Sequence, residues 1–149
     1  GGMGWRTALH NLAGVHVPGI AVSYDLDALP PALPLADLPA LVPVFPGGVG
    51  ANGEGLSTLT YDGAAWRAVL HVDHVLYWAP AANGRLHAVM PALVEAVDAY
   101  LGAVRADGLL GGALHEPLAI TRVQIGEQAY AGTRYFGACF RHRWVITLG

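Results

Sequence analysis

The chain has 149 residues, 54% of them hydrophobic and only 13% charged, with a formal net charge of −3. That length suits one domain, enough to bury roughly 70% of the unfolded surface in a single core. Typical domains are about 25% charged, so part of the apolar excess is expected to lie against a partner, although abundant Ala, Gly and Pro inflate the count.

All eight basic residues are arginines, and they form no run. With a negative net charge this argues against a nucleic-acid-binding surface, whereas planar guanidinium groups suit protein interfaces. The single cysteine, Cys139, excludes an internal disulfide and a multi-cysteine zinc site. No signal peptide and no apolar run of 18 or more residues is evident, so a soluble, intracellular chain without a membrane part is expected. Gly1 and Gly2 precede Met3 like a cloning remnant, and one domain is expected over residues 3–149.

Trp5, Ala8, Leu9 and Leu12 fall at helical spacing, with Gly14 where a helix would stop. A short strand is expected at Ile20–Tyr24, entered through Pro18-Gly19. Six prolines between Asp25 and Pro46 each remove a backbone donor and fix φ, so most of that stretch is expected to be extended connection. Leu41–Phe45 is the exception, a short strand that Pro43 confines to an edge or a bulge. Residues 47–63 are rich in glycine and read as a long flexible loop or a β-excursion between strands.

The second half is better specified. From Ala64 to Trp78 the residues Trp66, Ala68, Leu70, Val72, His74, Leu76 and Trp78 alternate with Arg67, Val69, His71, Asp73, Val75 and Tyr77. This predicts a long strand with the first set facing the core. After Pro80 the period changes, and Leu86, Val89, Met90, Leu93, Val97, Tyr100, Leu101 and Val104 make one helical stripe that ends at Asp107-Gly108. Pro91 is its weak point, where a kink or a later start is expected. Strands at Leu118–Gln128 and Thr133–Leu148 follow, joined through residues 129–132. In the last, Phe136, Ala138, Phe140, His142, Trp144 and Ile146 share one face. The expected fold is α+β: a mostly antiparallel sheet of about four strands, with a long helix and a short N-terminal helix packed on one face.

Chemistry-bearing patterns are sparse. His71 and His74 point to opposite faces of a strand, so they cannot share an ion. A metal would need His71 and Asp73 joined by His142 or His115, and His74 and His142 are more simply hydrogen-bonded core residues. Ser23 and Ser57 lie in no nucleophile-elbow pattern. The GGVGANGEG loop lacks the lysine and the following helix of a phosphate cradle. No catalytic, cofactor or metal residue is assigned, and the chain is not expected to be an enzyme. What remains suits contact: Arg67, His71, Asp73 and Tyr77 on one strand, with Arg141 and Arg143 on the corresponding face of the last, are the expected subunit interface.

The order of these elements resembles the tail terminator (tail completion) proteins of long-tailed phages and prophages. The resemblance covers nearly the whole chain. It is carried by WRTALHNL, LPALVPVFPGG, WRAVLHVDHVLYWAP, RLHAVMPALVEAVDAYLGAVRADGLLGG and ITRVQIGEQAYAGTRYFGACFRHRWVITL. It implies a subunit of a homo-hexameric ring that caps the tail tube and offers the surface on which the head docks. The partners would be copies of itself, the tail tube protein and a head–tail connector protein. The protein would sit in the virion tail, and in the host cytoplasm during assembly. A neck (head–tail connector) protein, or a small α+β ligand-binding domain or enzyme, are the alternatives.

Overall fold

The computed structural model of the chain describes residues 4–45, 55–82 and 84–148. Helix α1 (Trp5–Ala13) is followed by a two-residue strand β1 (Val22–Ser23), two 3-10 turns at Leu26–Ala28 and Leu35–Asp37, and strand β2 (Ala40–Val44). Strands β3 (Leu56–Tyr61) and β4 (Trp66–Pro80), helix α2 (Leu86–Ala106), and strands β5 (Ala119–Tyr130) and β6 (Thr133–Leu148) complete it. The α+β class is as expected, but among the described residues the sheet has six strands, more than the expected four or so.

The sheet runs β1-β2-β4-β6-β5, with β3 also paired to β4. All pairs are antiparallel except β1 with β2. β4 is long enough for two short strands to share one of its sides: β3 pairs from Trp66 to Leu70, β2 from Asp73 to Tyr77. Within the stretch 47–63, expected as a flexible loop or a β-excursion, β3 is the β alternative, while residues 46–54 lie outside those described. Pro43 sits in β2 beyond the end of β1, which stops opposite Leu41. That leaves it on an edge, where a missing donor is tolerated. The turn between β5 and β6 is two residues long, with φ of +50° at Ala131 and +84° at Gly132. Positive φ at both positions matches the right-handed twist of a tight hairpin.

Helix α2 runs unbroken through Pro91, which lies near its start on the exposed side. Its length and hydropathy would also suit a membrane span, yet it lies along the sheet and buries Leu93, Ala96, Tyr100 and Val104. These pack with Ala8, Leu9 and Leu12 of α1 on the sheet face formed by Ala68, Leu70, Val72, Phe140, Trp144 and Ile146. Burying each large side chain there contributes about 1.5–3 kcal/mol.

The opposite face is not bare. The proline-rich segment folds back over one end of it, and Tyr24 and Leu33 pack with Ala40, Val42, Val75, Tyr77 and Tyr135 in a second, smaller cluster. Tyr130 donates from its hydroxyl to the carbonyl of Pro30, tying that segment to the β5–β6 turn. A stretch expected to be mere connection therefore acts as a strap across half of the second face.

Candidate functional site

Two polar assemblies stand out, one sealed inside the core and one open on the second sheet face. The first joins β4, α2 and β6. His74 and His142 point into the core because they share the parity of Leu70 and Trp144 on their strands. Tyr100 reaches down from α2 between them, its hydroxyl 2.7 Å from His74 Nδ1 and 2.6 Å from His142 Nε2. Trp144 Nε1 donates to His142 Nδ1 at 3.2 Å.

Donor counting fixes the direction of this chain. His142 accepts at Nδ1, so its proton is on Nε2 and is donated to the Tyr100 oxygen. Tyr100 then donates to His74 Nδ1, which leaves the His74 proton on Nε2, a buried atom with no partner among the described residues. Burial holds both imidazoles neutral: His74 is pushed well below the usual histidine range, and His142 down to about 3. Burial likewise pushes the Tyr100 hydroxyl well up. His74 is 1% and His142 0% exposed, so this chain of hydrogen bonds lies within the core.

The second assembly is a trough of about 890 Å³ where the strap leaves the sheet uncovered. Pro30 and Pro31 form one wall and the β5–β6 turn another, with Val75 and Cys139 on the floor and Arg122, Gln124 and Gln128 of β5 along a side. Asp73 and Arg141 cross its end, with Arg141 donating from Nε at 2.9 Å and from Nη2 at 3.1 Å to the two carboxylate oxygens. Their strand register places them directly opposite each other. Burial, and then the Asp73 charge, push the Cys139 thiol up to about 11. It therefore stays protonated at neutral pH and is a poor nucleophile. Among the described residues no three His, Cys, Asp or Glu side chains gather as metal ligands would.

No protein-family model matches this chain, and no curated protein does.

All six expected interface residues do lie on this second face, as the pairing of Arg67 with Thr147, His71 with Arg143, Asp73 with Arg141 and Tyr77 with Gly137 requires. They do not act alike. Tyr77 is 2% exposed, covered by the strap's cluster, and donates to the Ala129 carbonyl at 3.0 Å, so it offers little surface of its own to a neighbouring subunit. Asp73 is buried and held by Arg141. Arg143 reaches Glu116 at 3.7 Å, and Arg67 reaches Asp62 at 3.9 Å; both arginines keep over two-fifths of their side chains exposed. His71 is half-buried on the same face.

Sequence reasoning missed Arg122, the exposed arginine inside the trough. Its signal was present, since Arg122, Gln124 and Gln128 recur at the spacing of one strand face. An irregularity between Ile120 and Arg122 shifts the register at the start of that strand.

Proposed function

We propose that this chain is a structural, non-enzymatic subunit of a phage or prophage tail: a tail terminator that forms a homo-hexameric ring, caps the tail tube and offers the head its docking surface. Its partners would be further copies of itself, the tail tube protein and the head–tail connector protein, in the virion tail or, during assembly, in the host cytoplasm. The observation that carries the reading is the half-covered second sheet face, an apolar-floored trough rimmed by arginine. Apolar ground with arginine at its edge is the make-up of protein contact surfaces. The element order behind the family resemblance also supports it, with the long β4, α2 and the β5–β6 hairpin all present.

The trough also favours a second reading, a small ligand-binding domain, because its volume of about 890 Å³ falls within the range of small-molecule sites. Light scattering over a concentration series, with electron micrographs of the same sample and of the protein mixed with tail tubes, separates the two. Six-fold rings, free or at tube ends, are the expected result. A strict monomer that ignores tube ends would overturn the tail reading and direct attention to ligand screening.

A further inference from the structure

We infer that the trough receives helix α2 of a second copy, so that subunits join head to tail through opposite sides of the sheet. The inference rests on the ring-forming reading above and names the surfaces that would build the ring.

Charge accounting points there first. Among the described residues, nearly every acidic side chain has a hydrogen-bond or ion-pair partner within the chain. Asp27 is held by Arg6, Asp37 by Tyr24, Asp73 by Arg141, Glu116 by Arg143 and Glu127 by Arg134. Asp25, Asp62 and Asp107 accept from backbone N–H groups. Glu95 and Asp98 on α2 are the ones left over, both exposed. Among the described residues three arginines have no acidic partner, Arg85, Arg105 and Arg122, and of these Arg122 is the one inside the trough.

The helix presents these acids in a single stripe. At 100° per residue, Pro91, Val94, Glu95, Asp98 and Gly102 lie on one side, opposite the buried Leu93, Ala96, Tyr100 and Val104; the exposed His87 and Arg105 share that side but lie beyond the two turns from Pro91 to Asp98, one before and one after. Val94 is 48% exposed at the middle of that stripe, an apolar contact for the Val75 and Cys139 floor. Size agrees as well. Only the exposed half of α2 can enter, because the other half packs on its own sheet; half of a helix about 10 Å across fills roughly 200 Å³ per turn, so 890 Å³ accommodates the two turns from Pro91 to Asp98. The stripe and the trough lie on opposite sides of the sheet, because α2 packs on the face away from Val75 and Cys139. Complementary patches on opposite sides cannot close a two-fold dimer; they repeat head to tail and make a ring when the rotation between copies closes.

The test is a charge swap combined with a cross-link. Arg122→Glu and, separately, Glu95→Arg with Asp98→Arg should each lower the apparent association constant at least tenfold in sedimentation at low salt. Mixing the two variants should restore association between them. In the Glu95→Cys form, which also carries Gln124→Cys in the trough and Cys139→Ser, a short bis-maleimide should join position 95 of one copy to position 124 of another and give a ladder on denaturing gels. Rings that form equally well in every variant, with no such ladder, overturn this inference and leave the ring reading standing. A wild type that is monomeric throughout, ignores tube ends and gives no ladder in its Glu95→Cys form overturns both. Thermal melts of each variant matching the wild type confirm that the fold is intact.

Discussion

Lowering the pH from 7.5 to 5 probes the core chain of His74, Tyr100, His142 and Trp144, because both imidazoles are held neutral in the fold. A second proton on His142 would have to sit on Nδ1, facing the N–H of Trp144, and on His74 it would sit on Nδ1, facing the hydroxyl proton of Tyr100. Geometry and burial therefore oppose protonation together. In the unfolded chain both residues return to a pKa of about 6.5. A histidine whose folded pKa is depressed contributes stability that is full above the unfolded value and is lost as pH falls below it. For His142 the window runs from 6.5 down to about 3. At pH 5 each imidazole that stays neutral in the fold costs roughly 2 kcal/mol, so the pair costs roughly 4 kcal/mol. That is a large fraction of a typical stability of about 5–15 kcal/mol. Urea unfolding followed by tryptophan fluorescence at pH 7.5, 6.5, 5.5 and 5 measures it directly. A free energy that stays within about 1 kcal/mol across that series would refute the reasoning.

Two further changes probe other parts of the core. Tyr100→Phe removes the acceptor for His142 Nε2 and the donor to His74 Nδ1 at once, leaving two more buried polar atoms without partners. It should destabilise the protein by about 2–4 kcal/mol in denaturant titration, and a loss under about 1 kcal/mol would mean that water reaches the site. A Cβ at Gly137 would lie 1.8 Å from the carbonyl oxygen of Leu76 on the neighbouring strand, so Gly137→Ala should cost about 3 kcal/mol or more. At about 2–4 °C per kcal/mol for a chain of this size, the melting temperature should fall by roughly 6–12 °C.

Strands β4 and β6 and helix α2 were legible because each is long and carries an undiluted period. Strand β6 spans Thr133–Leu148, just as its alternation predicts. β3 was not legible: five of its six residues are exposed, so Leu56–Tyr61 has no buried face to mark it. Only pairing with the edge of β4 makes it a strand, and that is a long-range fact. The cover over Tyr77 was hidden for a related reason. Alternation tells which residues share a face, not what covers that face. Its cover comes from Tyr24 and Leu33, which sit in a segment of prolines and 3-10 turns without any period.

The strap from Tyr24 to Leu38 has a consequence for how such a surface changes between relatives. Among the described residues, its reach across the sheet sets where the covered half of the second face ends and, with the β5–β6 turn, bounds the trough. Inserting a few residues near Pro30 and Pro31 would roof the floor of Val75 and Cys139, and deleting a few would lengthen the open channel, while the helix-side core stays untouched. Binding geometry and folding are thus governed by separate stretches of chain, and insertions and deletions in one short segment can retune the first at little expense to the second.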